Sequence, residues 1–193
     1  MRILFLYNNE MALELARWLE QQGDTVDRFT EKLTLENFPK TKYDLAVSYS
    51  YCHILPQPVI DRLNGNIVNL HISYLPWNRG ENPNQWSFLE NTPQGVTIHY
   101  LNAELDKGDI LAQQLVPMQA GKETLASSYR KLNNAIQQLF QDLYPYFPYW
   151  PQMRKRALGR GTYHSQADFT PYAALIATWD MPVAEFLEKA RQL

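Results

Sequence analysis

The sequence has 193 residues, of which 45% are hydrophobic and 20% are charged, and its formal net charge is −2. This length and apolar content suit one globular domain and exclude an intrinsically disordered chain. The single cysteine, Cys52, excludes an intrachain disulfide framework and a cysteine-based zinc site, and we expect no metal. The balanced charge does not predict a nucleic-acid partner, and no apolar run approaches the roughly 20 residues that a membrane span needs. We therefore expect a cytoplasmic protein without a membrane or nucleic-acid partner.

Short apolar runs alternate with amphipathic segments along the first two thirds of the chain. Strands are expected at residues 2–7, 26–29, 43–49, 66–71, 95–101 and 109–116, and helices at 11–22, 58–63, 83–90 and 122–140. Several of the strand runs are almost continuously apolar, which is typical of parallel sheets buried on both faces. The pattern predicts an α/β fold, a Rossmann-like, doubly wound and mostly parallel sheet.

The chain changes character after the long amphipathic segment. Residues 144–151 read YPYFPYWP, and three prolines among aromatic residues argue against regular structure there. Residues 153–161 are basic and interrupted by glycine, and residues 182–193 predict a terminal helix. We expect a catalytic domain at 1–143 and a small C-terminal appendage at 144–193, which is too short to hold a core alone.

The common α/β cofactor motifs are missing. Residues 7–11, after the first predicted strand, read YNNEM and contain no glycine that would let a dinucleotide pyrophosphate approach the backbone. The sequence has no Walker loop, no GxSxG elbow and no HExxH motif, and its four histidines are not spaced as metal ligands. For each histidine taken alone, a core or surface role is the simpler interpretation.

One constellation of polar residues indicates chemistry. Asn69 and His71 are two positions apart at the end of a predicted strand, so their side chains share one face. Arg79-Gly80 reads as a turn that ends regular structure and leaves the site open, and Asp106 lies in a loop after the next strand, from which it can reach the same sheet edge. An amide, an imidazole and a carboxylate together suit acyl transfer to an amine. A capped strand end with a polar loop is the alternative.

Four segments, NLHISYLPWNRG, PNQWS, GVTIHYL and ELDKGDIL, resemble the formyltransferase family over roughly residues 1–140. That family transfers a formyl group from N10-formyltetrahydrofolate to an amine. The resemblance implies that Asn69, His71 and Asp106 are the catalytic residues. It also implies two folate-binding segments that act largely through the backbone, formed by Ser50, Tyr51, Cys52, Ile54 and Leu55 and by Leu101, Asn102, Ala103, Glu104 and Leu105.

The family contains enzymes for three classes of amine, and two fit this chain poorly. The methionyl-tRNA enzymes are longer and carry a barrel domain and a basic loop, whereas here only about 50 residues follow the long helix and the net charge is −2. The basic cluster at 154–160 is a partial counter-argument. The glycinamide ribonucleotide enzymes hold phosphate on a Gly/Ser-rich turn after the first strand. This chain has Asn8-Asn9-Glu10 there, and an acidic residue repels phosphate.

A nucleotide-linked amino sugar is the favoured substrate. The segments PWNRG, PNQW and GTYH look more like those of the small bacterial sugar-formylating enzymes. We expect Trp77, Arg79, Asn84 and Trp86 to bind substrate, because indole rings can stack on a sugar or base and an arginine can pair with a pyrophosphate. Ordinary packing of the two tryptophans, and a loop-capping Arg79, are the alternatives. A homodimer, the other two amines and a non-catalytic folate-binding relative stay open.

Overall fold

The computed structural model describes residues 1–156 and 159–193, so Ala157 and Leu158, within the predicted basic segment, lie outside the described residues. The strands are β1 (Arg2–Leu6), β2 (Thr25–Phe29), β3 (Leu45–Tyr49), β4 (Ile67–His71), β5 (Arg79–Gly80), β6 (Gly95–Tyr100), β7 (Ile110–Leu115) and β8 (Tyr163–His164). Six of them form one sheet in the order β2-β1-β3-β4-β6-β7, and β5 pairs with β8 separately. The first four strands are parallel and β6 and β7 are antiparallel to their neighbours, so the predicted Rossmann-like, mostly parallel sheet is confirmed.

The helices cover both faces of this sheet. They are α1 (Ala12–Gln21), α2 (Gln57–Arg62), α3 (Pro83–Leu89), α4 (Leu125–Leu143), α5 (Trp150–Met153), α6 (Gln166–Ala173) and α7 (Val183–Ala190), with 3₁₀ turns at Ala120–Lys122 and Tyr144–Tyr149. On one face α1 and α4 pack on strand residues such as Phe5, Leu70 and Ile98. On the other face α2 packs on Leu6 and Ile67. This burial on both faces accounts for the apolar strand pattern.

The prediction of irregular structure at residues 144–151 is wrong. The segment forms a 3₁₀ helix followed by the start of α5, and Pro145 and Pro151 lie in the first turns of these two helices. A first-turn proline removes an N–H that has no helical partner, so it does not disturb the helix. Phe147 and Trp150 pack against the core formed with α1 and α4. Three of the five aromatic residues of this segment, Tyr144, Phe147 and Trp150, therefore pack with the core of the main sheet, whereas Tyr146 and Tyr149 are exposed.

Helices α6 and α7 pack against α3 and the start of α4. A third apolar cluster joins Trp86 and Leu125 with Phe169 of α6 and Phe186 of α7. The sequence pattern does not predict α6, which is only weakly amphipathic and contains Pro171, although Ser165 and Asp168 form a capping box at its start. Among the residues that the structure describes, no helix is both long and apolar enough to cross a membrane.

Candidate active site

The strand register brings polar side chains together on one face of the sheet. Val68 and Leu70 of β4 point into the core beneath α1 and α4, so Asn69 and His71 point to the opposite face. The neighbouring strand β6 runs antiparallel to β4 and places His99 directly opposite Asn69. The centre of the sheet therefore presents an amide and two imidazoles on the face away from α4.

Asp106 reaches these residues by a route that the sequence did not predict. Because β6 is antiparallel to β4, its last residue, Tyr100, lies beside Val68, near the start of β4. The loop after β6 therefore leaves the sheet at the edge opposite to His71, and it doubles back to bring Asp106 to Asn69. Asp106 adopts a left-handed conformation with φ of 51°. Gly108 permits the tight return, since a Cβ there would lie 1.7 Å from the Tyr100 carbonyl oxygen.

The Asp106 carboxylate is the centre of the cluster. Its Oδ2 accepts the Gly80 N–H at 2.9 Å and lies 3.8 Å from His71 Nε2. Its Oδ1 accepts from Asn69 Nδ2 at 3.4 Å and lies 3.4 Å from His99 Nε2. The carboxylate is buried, with Asp106 only 5% exposed. The structure thus brings the three predicted catalytic residues into one contact network.

The surroundings of Asp106 keep it ionised. Burial by itself raises the pKa of this carboxyl, because a charge loses its hydration. Positive charge at His71, the contact with His99 and the Gly80 N–H outweigh burial and hold the pKa below its ordinary value of 3.8. Asp106 therefore carries a negative charge at neutral pH and can stabilise positive charge that develops beside it.

His99 is a site residue that the sequence reasoning missed. Its ring is completely buried, with Nδ1 3.0 Å from the Tyr100 carbonyl oxygen and Nε2 3.2 Å from Asn69 Nδ2. A carbonyl only accepts, so Nδ1 carries a hydrogen and Nε2 faces Asn69 and Asp106. A signal was present in the alternation of β6, where Thr97 and His99 are polar between apolar neighbours. That signal points to this site only once β6 is known to lie beside β4.

The hydrogen bonds of His71 and Asn69 determine which atoms remain available for reaction. His71 Nε2 lies 3.1 Å from the Asn78 carbonyl oxygen, so Nε2 carries a hydrogen and the neutral ring has its lone pair on Nδ1. Asn69 directs Nδ2 toward Asp106 Oδ1 and His99 Nε2, and because these two atoms are only 3.4 Å apart, one amide hydrogen directed between them can serve both. The arrangement therefore offers a proton acceptor at His71 Nδ1 and a second amide hydrogen at Asn69.

The two predicted folate-binding segments flank one apolar cluster. Tyr51, Leu55 and Leu101 pack in the cluster beneath α2. Ile54 and Leu105, one from each segment, remain 69% and 40% exposed. The other predicted residues of these segments are Ser50, Cys52, Asn102, Ala103 and Glu104, which are half-buried or exposed. In the first segment Ser50 has φ of 52° and the Cys52 N–H donates to Asn8 Oδ1 at 2.9 Å, and in the second the Glu104 N–H donates to Asn102 Oδ1 at 3.0 Å. Exposed apolar side chains are suited to contact with an aromatic ring, and the role of these segments in binding folate stays a prediction.

The four predicted substrate-binding residues lie in two environments. Trp77 and Arg79 are half-buried in the loop beside the catalytic cluster. Asn84 is 1% exposed and donates to Ser128 Oγ at 2.9 Å. Trp86 is buried, and the His164 ring stacks on its face with centroids 3.8 Å apart. Stacking of a substrate ring on that face would require His164 to move, so packing accounts for Trp86, and the binding roles stay predictions.

The interpretation of Arg79-Gly80 as a turn that leaves the site open is wrong. These two residues form β5 and pair in parallel with β8, with Arg79 opposite Tyr163 and Gly80 opposite His164. A two-residue strand has no periodicity to detect, and its partner lies more than 80 positions away in the sequence. The C-terminal part of the chain consequently covers this side of the site.

A mostly parallel α/β sheet that presents an amide, two imidazoles and an ionised carboxylate on one face is suited to the chemistry of a group-transfer enzyme. Residues 15–143 match the model of the family described as formyl transferase. The chain belongs to the formyltransferase family, as its sequence motifs predict.

Individual relatives agree with this assignment. The formyltransferase PseJ from Anoxybacillus kamchatkensis, crystallised with UDP-4,6-dideoxy-4-formamido-L-AltNAc and tetrahydrofolate, is 34% identical with a TM-score of 0.86, and the match covers 98% of this chain and 100% of that one. A 4-N formyltransferase from Francisella tularensis shares the fold, with a TM-score of 0.74 and 21% identity, and the match covers 96% of this chain and 86% of that one. A methionyl-tRNA formyltransferase from Listeria monocytogenes is 31% identical over 137 residues, which are 70% of this chain and 42% of that enzyme. This chain thus matches less than half the length of that relative.

Proposed function

We propose that this protein transfers a formyl group from N10-formyltetrahydrofolate to the amino group of a nucleotide-linked amino sugar. The observation that carries the proposal is the contact network of Asn69, His71 and Asp106, in a chain that aligns along its length with a formyltransferase crystallised with a formamido sugar nucleotide and tetrahydrofolate. The residues of the network supply the groups that formyl transfer to an amine requires.

Each residue of the network has a distinct task in the proposed reaction. The amine nitrogen attacks the formyl carbon, and the second amide hydrogen of Asn69 donates to the oxygen that becomes negative. His71 Nδ1 accepts the proton that the amine loses, and the ring becomes positively charged. Asp106 stabilises that charge from 3.8 Å away. When the bond between the formyl carbon and N10 breaks, N10 takes up a proton, and the products are a formamide and tetrahydrofolate.

The formyl donor would lie against the segments 50–55 and 101–105. Their exposed apolar side chains, Ile54 and Leu105, suit the faces of an aromatic ring, and their backbone groups suit its polar edge. The folate supplies an activated formyl group on a nitrogen that can leave. The chain's own residues supply orientation, a proton acceptor and a hydrogen bond for the developing oxyanion.

The amino sugar is favoured over the other amines of the family by two observations. The sequence turn Asn8-Asn9-Glu10 after β1 carries an acidic residue where a phosphate-binding enzyme needs backbone N–H groups. The match to the sugar-nucleotide relative covers 98% of this chain at 34% identity, whereas the match to a methionyl-tRNA relative covers 70% of it at 31% identity. Arg79, half-buried beside the cluster, is the residue that we expect to pair with the pyrophosphate.

Turnover with a panel of amines tests the proposal. Purified protein is incubated with N10-formyltetrahydrofolate and UDP-linked 4-amino sugars, glycinamide ribonucleotide or methionyl-tRNA, and mass spectrometry detects the addition of one formyl group. We expect product with an amino sugar nucleotide and none with the other two amines. Formylation of either of those would move the assignment to that enzyme class, and no turnover with any amine would favour a non-catalytic folate-binding relative.

Three further expectations belong to the same proposal. We place the protein in the cytoplasm, a reducing compartment that suits its exposed free Cys52. The homodimer that the sequence leaves open is tested by size-exclusion chromatography with light scattering. We also keep the division into a catalytic domain at 1–143 and a dependent appendage at 144–193, supported by the packing of Phe169 and Phe186 on α3 and α4.

A further inference from the structure

The loop between β4 and α3 contributes two backbone groups to the active site. The Asn78 carbonyl oxygen accepts from His71 Nε2 at 3.1 Å, and the Gly80 N–H donates to Asp106 Oδ2 at 2.9 Å. One of these bonds fixes the orientation of the imidazole, and the other fixes the carboxylate beside it. The position of residues 78–80 therefore determines the geometry of both groups.

Residues 161–164, which we call the C-terminal strap, hold this loop in place. Thr162 Oγ1 accepts the Asn78 N–H at 2.9 Å and donates to Asn78 Oδ1 at 3.1 Å. The Thr162 carbonyl oxygen accepts from the Arg79 backbone N–H at 3.1 Å and from Arg79 Nε at 3.2 Å. The Glu81 N–H donates to the His164 carbonyl oxygen at 2.9 Å. The strap thus forms hydrogen bonds with residues 78, 79 and 81 of the loop.

Two glycines allow the backbones of the strap and the loop to touch. A Cβ on Gly161 would lie 1.6 Å from the Pro76 carbonyl oxygen, and a Cβ on Gly80 would lie 2.3 Å from the His164 carbonyl oxygen. Gly80 also has φ of +87°, in the left-handed region where a side chain is strained. The contact therefore leaves no space for side chains between the two segments.

Asn78 is the point at which the strap and the rest of the fold meet. It is completely buried, and its Nδ2 donates to Thr92 Oγ1 at 2.7 Å on the side opposite Thr162. Its backbone N–H and side-chain oxygen both bond to Thr162 Oγ1, while its carbonyl oxygen bonds to His71. A displacement at the Thr162 hydroxyl is therefore passed directly to the imidazole.

We infer that Thr162 is a positioning residue for formyl transfer, acting through Asn78 and Gly80 to hold His71 and Asp106 in their reactive arrangement. This inference rests on the proposed function. It makes the C-terminal strap part of the active-site construction, although the strap lies outside the matched family segment 15–143.

A valine–serine pair tests the hydroxyl. Thr162→Val keeps the side-chain shape but leaves the Asn78 N–H and Oδ1 without a partner, whereas Thr162→Ser keeps the hydroxyl. We expect Thr162→Val to lower kcat about 10- to 100-fold, the range that a misplacement of up to about 1 Å produces, with KM for both substrates within about twofold. Thr162→Ser should restore kcat to within about threefold of the unmodified protein. Thr170→Val is the matched control, because Thr170 is exposed on α6 and bonds only within its own helix.

A glycine pair tests the backbone contact independently. Gly161→Ala should lower kcat in the same way, because its Cβ forces the strap away from Pro76. Gly121→Ala is the matched control, since a Cβ there meets nothing within 4 Å. Melting temperatures of all variants show whether a loss of activity comes from unfolding.

The outcomes separate this inference from the proposed function. If the unmodified protein formylates an amino sugar and Thr162→Val retains kcat within about threefold, the inference is wrong and the function stands. Equal losses in Thr162→Val and Thr162→Ser also overturn it, because the hydroxyl would then be irrelevant. If the unmodified protein does not formylate any amine, the proposed function fails. Hydrogen exchange of the backbone amides of residues 77–82 then still measures how well the strap holds the loop in place. Faster exchange there in Thr162→Val than in Thr162→Ser supports its positioning role, and equal exchange contradicts it.

Discussion

Replacing Asp106 by asparagine tests the electrostatic part of the mechanism most directly. The substitution keeps the shape of the side chain and one of its oxygens but removes the negative charge. The new NH₂ group replaces one carboxylate oxygen, and in either orientation it lies next to a hydrogen-bond donor. An NH₂ in the Oδ2 position faces the Gly80 N–H at 2.9 Å, and one in the Oδ1 position faces Asn69 Nδ2 at 3.4 Å. Either orientation loses one favourable contact, and both lose the attraction to a protonated His71.

The distance between His71 and Asp106 gives the size of the effect. Two unit charges 3.8 Å apart attract by about 4 kcal/mol at an effective dielectric constant of about 20. Only part of the imidazolium charge has developed in the transition state, so about 3 kcal/mol is lost there, which corresponds to about 10²-fold in rate. We therefore expect Asp106→Asn to lower kcat by about 10²-fold or more, with only a modest change in folate affinity.

Initial rates across a pH series measure this effect. Without the carboxylate the His71 ring holds a proton less tightly, so the neutral, reactive ring persists to lower pH and the acid limb of kcat moves down. If Asp106 only shaped its loop, an asparagine oxygen would accept the same backbone hydrogen bond. Near-normal kcat with an unmoved acid limb would refute the electrostatic role.

Three further predictions follow from the same site. Asn69→Ala and His71→Ala should each lower kcat by about 10²–10³-fold without changing the melting temperature, because each side chain acts in the transition state. Near-normal turnover by either variant would show that the replaced residue has no part in the mechanism. In a thermal-shift experiment, folinic acid at 100 times its Kd should stabilise the protein by about 2.7 kcal/mol, whereas NAD(H) and ATP should not stabilise it. Stabilisation by NAD(H) or ATP and none by folinic acid would contradict the cofactor assignment. Since the folded-state pKa of Asp106 is lowered, its contribution to stability is complete above the ordinary value of 3.8 and is lost as the pH falls through the folded value. Below pH 3.8, the difference in urea midpoint between the unmodified protein and Asp106→Asn should therefore shrink. A difference that does not change with pH would contradict the contribution of the ionised carboxylate to stability.

The sheet and the shared face of Asn69 and His71 could be predicted because they leave local signals. Each central strand is an apolar run, and Asn69 and His71 are the polar exceptions at the end of one run. Their spacing alone places both side chains on one face, whatever the neighbouring strands do. Membership of the formyltransferase family followed from the same segments.

The contacts that complete the site leave no local signal. Nothing in the sequence of β6 states that it runs antiparallel to β4, and the contact of His99 with Asn69 depends on that direction and register. Strands β5 and β8 have two residues each and are too short to show a hydrophobic periodicity. The hydrogen bonds of Thr162 with Asn78 therefore could not be predicted. The prolines of residues 144–151 predict a break, but Pro145 and Pro151 lie in first turns and Pro148 lies inside the 3₁₀ helix, and this placement depends on where the preceding helix ends.

The pairing of β5 with β8 links the chemistry to the completion of folding. Asn69 and Asp106 are 37 positions apart, and Asn78 and Thr162 are 84 positions apart. Contacts between such distant segments form after local structure, because closing a long loop has to precede them. A growing chain can assemble β1 to β4 well before residues 161–164 have been synthesised. During synthesis or refolding, turnover should therefore begin only after residues 161–164 have paired with the loop. This onset would be later than the appearance of helix and sheet in the circular dichroism signal.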